Sequence, residues 1–205
     1  MSASKPWVFV FDDELQWAEE IRDTLKFDFN VTLATNRKDW DFHIGVPYWK
    51  AIVVDVQIFG SMETGIQLAE KAILDYKIIS PIIIISGNAN LPEEERKYGN
   101  IFFGYVSKNN FNAPLKKLVH DAVDAGKYAH MIKMLTGIAS KHDVLDDICD
   151  DDVILTGFGG GSMGNVKGKK VSEIIDLLES QSIQDRNDSI GKIVLGIIVD
   201  KINRV

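Results

Sequence analysis

Residues 51–56 read AIVVDV, five apolar residues with one acid, Asp55, next to the end. A run this short, apolar on both faces and rich in β-branched residues, is the pattern of a strand buried on both sides. Working outward, WVFVF at 7–11 and PIIIIS at 81–86 have the same character, NVTLA at 30–34 is a shorter β-branched run, and residues 101–106 supply a fifth strand. Helical spacing fills the intervals. Leu15 to Leu25 carries Ala18, Ile21 and Leu25 on one stripe, and Gly65 to Leu74 carries Ile66, Ala69 and Ile73. Arg37–Gly45 is a short helix of poorer period, and the acidic stretch 92–98 is weakly patterned. A last amphipathic helix runs from Asn112 through Leu115, Leu118, Val119 and Ala122. Asn112 is expected to cap it, with Pro114 tolerated in the first turn. Near-continuous apolar strands alternating with helices mean parallel strands covered on both faces by crossover helices. The expected fold class is therefore α/β, a doubly wound five-stranded parallel sheet over residues 1–126.

Composition agrees and excludes other classes. The chain has 205 residues, a net charge of −7, 45% hydrophobic and 26% charged residues, which gives room for a full core and rules out disordered and fibrous types. The acidic balance argues against a mainly electrostatic grip on nucleic acid. The densest apolar runs, 82–85 and 193–199, fall far short of the roughly 20 residues that span a bilayer. No signal-type apolar region follows Met1–Pro6, and the single Cys149 cannot form an internal disulfide. A cytoplasmic protein with no membrane partner is the expectation.

In a doubly wound sheet, ligands bind beyond the carboxyl ends of the strands. Strand one ends in Asp12 and Asp13, strand three carries Asp55, strand four ends in Ser86, and strand five ends in Ser107 and Lys108. With strands one and three adjacent, three carboxylates, a hydroxyl and an ammonium meet in one crevice. Carboxylates that close repel one another and call for a hard dication with oxygen ligands, and Mg²⁺ suits carboxylates shared with phosphate oxygens. One carboxylate of such a group, Asp55, could attack phosphorus while Lys108 neutralises charge and Ser86 donates a hydrogen bond to a phosphoryl oxygen. The catalytic residues expected on this chemistry are Asp55, Ser86 and Lys108.

The segment from Trp7 to about Gly126 resembles the CheY-like receiver domain of two-component response regulators. The residues that carry the likeness are the acid pair of VFVFDDE, the aspartate of AIVVDV, the serine of PIIIISGNA and the lysine of GYVSKNNF. The resemblance implies a flavodoxin-like sheet of order 2-1-3-4-5. It implies an Asp55 that accepts a phosphoryl group from a histidine kinase or phosphotransfer protein, in a response regulator that is not itself an enzyme. It implies Mg²⁺ held by Asp12, Asp13, Asp55 and the backbone carbonyl of Gln57, with Asp12 acting through water. Ser86 and Tyr105 fall at the switch positions. Two departures stand out: Asn109 follows Lys108 where the family often has proline, and the connection from Asp55 to Gly65 is about two residues longer and lacks the common proline. They motivate a rival reading, a receiver-like scaffold that binds a partner without phosphorylation.

The remainder, 127–205, reads as a small all-helical output or dimerisation module. Helical stripes fall at Ala129–Ala139, Val171–Leu178 and Ile190–Ile202, around a glycine-rich connector at Gly157–Gly168 that does not match a phosphate-binding loop. From Gly126 onward ten basic residues face twelve acidic ones, and the last helix carries only Lys192, Lys201 and Arg204, a poor footprint for nucleic acid. A homodimer through these apolar helices is the better expectation. The heptapeptide ASKHDVL around His142 resembles the phosphoacceptor box of histidine-kinase dimerisation helices. It motivates a third reading, a phosphotransfer protein that uses His142.

Overall fold

A computed structural model describes residues 4–46, 48–58, 63–76, 78–87 and 101–124, together with positions 98, 134, 137, 138 and 141. Five strands, β1 (Trp7–Phe11), β2 (Asn30–Ala34), β3 (Ala51–Asp55), β4 (Ile82–Ser86) and β5 (Gly104–Ser107), form one sheet of order β2-β1-β3-β4-β5. Every pairing is parallel, with Phe11 opposite Val54, Asp55 opposite Ile85 and Ser86 opposite Ser107. The expected architecture and strand order are thus those observed.

Helices α1 (Leu15–Leu25), α2 (Arg37–Ile44), α3 (Gly65–Tyr76) and α4 (Asn112–Asp124) lie on its faces among the described residues. Alternate strand residues point to opposite faces, so each central strand feeds two cores. Val8, Val10, Val53, Ile83 and Ile85 pack with Ile21 and Leu25 of α1 and Leu115 and Val119 of α4. Phe9, Phe11, Ile52, Val54, Ile82 and Ile84 pack with Trp40 and Ile44 of α2 and Ile66, Ala69 and Ile73 of α3. Residues beyond 126 also enter the second core. Met134 and Ile138, which the sequence reading assigns to the C-terminal module, are fully buried in it. The other expectations for 127–205, including the stripes after 141, the glycine-rich connector, the dimer and His142, lie outside the described residues.

Some boundaries differ from the sequence reading. β5 begins at Gly104, not Ile101. The chain first meets β4 where the Phe103 amide donates to the Ile82 carbonyl at 2.7 Å, while Ile101 and Phe102 bury their side chains ahead of the strand. Asn112 does not cap α4. The Leu115 amide donates to the Phe111 carbonyl at 2.7 Å, so the helix starts a residue earlier, and the Asn112 Oδ1 instead accepts from the Thr24 hydroxyl of α1 at 2.8 Å. α3 continues two residues past Leu74. The irregular α2 owes its start to Asn36, whose side chain accepts from the Asp39 amide at 3.0 Å.

Candidate functional site

Reversal of strand order between β1 and β3 opens a crevice at their carboxyl ends. Asp12 leaves β1 there, fully buried, and its Oδ1 accepts from the Glu14 amide at 3.1 Å, which turns the chain into α1. Asp55 is the last residue of β3 and only 2% exposed. Asp13 is half-buried beside them, and one carboxylate oxygen from each of the three lies within 4.8 Å of the others. Lys108, one residue past β5, reaches across: its Nζ stands 2.8 Å from Asp12 Oδ2 and 3.1 Å from Asp55 Oδ1. Its own amide donates to the Ser86 carbonyl at 2.7 Å, which fixes the base of the long side chain. Ser86, at the end of β4, is buried one residue past the partner of Asp55. Gln57 is exposed just beyond β3.

Burial dominates the electrostatics. It drives the Asp55 carboxyl up to about 7, against the pull of Lys108 and helped by the charges of Asp12 and Asp13. Burial also raises the Asp12 carboxyl, with Lys108 again opposing. For Lys108, desolvation favours the neutral amine, but the hydrogen bond to Asp12 and the charge of Asp55 outweigh it and hold the pKa above the ordinary value. One ammonium is thus shared by Asp12 and Asp55. Asp12 Oδ2 and Asp55 Oδ1 are buried, and the Lys108 ammonium stands at ion-pair distance from both. An all-oxygen donor set with excess negative charge and such oxygens fits a hard dication of the Mg²⁺ class.

Two supporting residues escaped the sequence reading. Trp17 of α1 presents its ring 5.1 Å from Lys108 Nζ and is itself braced edge-on by Phe111 at 6.0 Å. The ammonium is therefore held between carboxylates and an aromatic face. The signal in the sequence is an aromatic residue off the buried stripe of α1. Gly65 opens α3 directly against the phosphoacceptor candidate: a Cβ there would lie 1.7 Å from the Asp55 carbonyl oxygen. Its amide donates to the Val56 carbonyl at 2.9 Å. Only glycine permits this approach.

Tyr105 sits apart from the carboxylates. It lies in β5 opposite Ile84, packs against the α2/α3 core, and has its ring 6.2 Å from that of Phe102. The bond between Lys108 and Asn109 is trans, and Asn110 takes the left-handed conformation with φ 58°. Asparagine tolerates that region, so the loop makes its turn without proline.

Solved structures share this fold. A CheY-like response-regulator receiver domain from Methanospirillum hungatei is 18% identical, with a TM-score of 0.51 over 60% of this chain and 96% of its own. The receiver domain of Francisella response regulator 1452 is 25% identical, with a TM-score of 0.50 over 59% and 98%. A structure described as an adenylate cyclase from Rhodopirellula baltica is 19% identical, with a TM-score of 0.51 over 69% and 98%. Most of the similar structures are CheY-like receiver domains, and the fold of this chain is the receiver fold. No protein-family model matches the chain, and no curated protein does.

Proposed function

We propose that this chain is a cytoplasmic response regulator, a phosphorylation-controlled switch rather than an enzyme that turns over a substrate. The observation that carries the reading is the buried group of Asp12, Asp13 and Asp55 with Lys108 at the carboxyl ends of adjacent strands. In the proposed step an Asp55 carboxylate oxygen attacks the phosphorus of a phosphohistidine on a histidine kinase or phosphotransfer protein. A P–O bond forms, the P–N bond breaks, and the histidine leaves with the electron pair, so that Asp55 ends as an acyl phosphate. Asp12, Asp13, Asp55 and the Gln57 carbonyl would hold Mg²⁺, which supplies charge neutralisation on the phosphoryl oxygens. Lys108, fixed by Trp17 and Asp12, keeps a positive charge beside the phosphoryl group. Ser86 offers a hydroxyl to one of its oxygens.

No helix among the described residues is long and apolar enough to cross a membrane. Incubation of the intact chain with acetyl phosphate and Mg²⁺, read by intact mass, tests the assignment. Wild type is expected to gain about 80 Da, and Asp55→Ala to gain nothing. An unmodified wild type overturns it in favour of a phosphorylation-independent scaffold, and a gain that persists in Asp55→Ala overturns Asp55 as the acceptor.

A further inference from the structure

The ammonium at the centre of the site sits on the end of a flexible stem, and the loop that carries it, from Lys108 to Phe111, holds no proline to fix its course. Asn109 and Asn110 are exposed. The Asn109 amide donates to the Ser107 hydroxyl oxygen at 3.2 Å, and Asn110 turns the chain at φ 58°. Phe111 then returns to the core, 2% exposed, and its carbonyl accepts from the Leu115 amide in the first turn of α4.

Trp17 meets both ends of this loop. Its ring centre lies 5.1 Å from Lys108 Nζ at one end and 6.0 Å from the Phe111 ring, edge to face, at the other. The indole is carried by α1 and packs against the core cluster that holds Ile21, Phe111 and Leu115, so a helix fixes it. Lys108 Nζ is 2.8 Å from Asp12 and 3.1 Å from Asp55, and two such contacts leave the ammonium free to swing about the line between them. The indole supplies a third contact and fixes the point. The lysine side chain is only 6% exposed, and a cation over an aromatic face gains most where water is excluded.

We propose that Trp17 and Phe111 form an aromatic clamp that aims the Lys108 ammonium at Asp55, which makes Trp17 a positioning residue for phosphoryl transfer that acts through the lysine. This role rests on the phosphoacceptor reading of Asp55. The clamp takes over the shaping that a proline next to Lys108 would give by fixing φ, so the departure at Asn109 leaves the site competent.

Position and rate are open to separate measurement. In the full chain carrying isotope-labelled lysine, the Lys108 ε-methylene signal, identified by its absence from Lys108→Met, is expected to show a nuclear Overhauser contact with the Trp17 indole protons. With acetyl phosphate and Mg²⁺, read by intact mass, Trp17→Leu is expected to slow labelling of Asp55 about 5-fold. Trp17→Phe, which keeps an aromatic face, is expected to stay within about 2-fold of wild type.

No Overhauser contact in wild type overturns the clamp. An unchanged rate in Trp17→Leu, or an equal loss in Trp17→Leu and Trp17→Phe, overturns the positioning role, because loss of packing alone would slow both variants alike. A Trp17→Leu chain that fails to fold overturns it too, since the indole would then serve the core and not the lysine. A wild type that takes up no phosphoryl group overturns the phosphoacceptor reading and the positioning role built on it, and the Overhauser contact in that same sample shows whether the clamp itself stands.

Discussion

The two ends of the sheet are built on opposite terms. At the amino ends, Trp49 is fully buried and stacked on Phe9 with centroids 5.2 Å apart. Its indole N–H donates to the His43 carbonyl at 2.8 Å, and its own carbonyl accepts from the Ser80 hydroxyl at 2.8 Å. Apolar area and polar partners are both in place, which is how a buried aromatic residue contributes most to stability. At the carboxyl ends, Asp12 and Asp55 are equally buried but share one ammonium, and burial holds both above the ordinary carboxylate range. One end stabilises the fold. The other holds unfavourable electrostatics that a cation or a chemical change can relieve, a division expected where binding matters more than stability.

The contrast is open to measurement, beginning with the largest effect. Trp49→Ala removes the stacked ring and the indole N–H bond to the His43 carbonyl, so the urea midpoint should fall by the equivalent of about 3–5 kcal/mol. Asp55→Asn should change stability in the other direction. Because the folded-state pKa of Asp55, about 7, lies above the 3.8 of a free carboxyl, the folded chain binds the extra proton between those values. Stability contributed by the protonated group is present at low pH and is lost as pH rises toward 7. In metal-free buffer at about pH 8, Asp55→Asn should therefore be more stable than wild type by on the order of 2 kcal/mol, the gain shrinking as pH approaches about 4. A gain that does not depend on pH would refute the electrostatic account.

Smaller effects sharpen the same comparison. Mg²⁺ at about 10 mM should raise the wild-type melting temperature at neutral pH by the equivalent of about 1 kcal/mol, and less in Asp13→Asn. An equal rise in both would place the ion elsewhere. Smallest is Lys117→Ala in α4, which breaks an exposed pair with Asp121 at 2.5 Å. It should shift the midpoint by less than about 0.5 kcal/mol, since solvent screens such pairs. A large loss there would show that charge stabilises this chain at its surface as well.

Strand existence and order were legible because AIVVDV, WVFVF and PIIIIS combine burial on both faces with an acid or hydroxyl at or next to the carboxyl end. The same property placed Asp12, Asp13, Asp55, Ser86 and Lys108 at strand ends. The residues that brace them were hidden for a physical reason. Gly65 matters through a backbone contact with a residue ten positions earlier, and Trp17 through an ammonium that reaches it across the sheet. Asn112 has the chemistry of a cap, yet its partner is the Thr24 hydroxyl on another helix. Ile138 reads as a helical apolar residue wherever it packs; only the folded chain assigns it to the α3 face. Local pattern reports a residue's element, and tertiary contact decides its role.

The bond from the Gly65 amide to the Val56 carbonyl has a consequence for change over time. It holds Val56 and Gly65, the two residues that flank positions 57–64, together at 2.9 Å. Doubling the length of a closed loop costs only about 0.6 kcal/mol in closure entropy. Extra residues there leave the start of α3 pinned against Asp55. The connection between Val56 and Gly65 can therefore be lengthened, by mutation or by an inserted peptide tag, while Asp55 and the start of α3 stay in register.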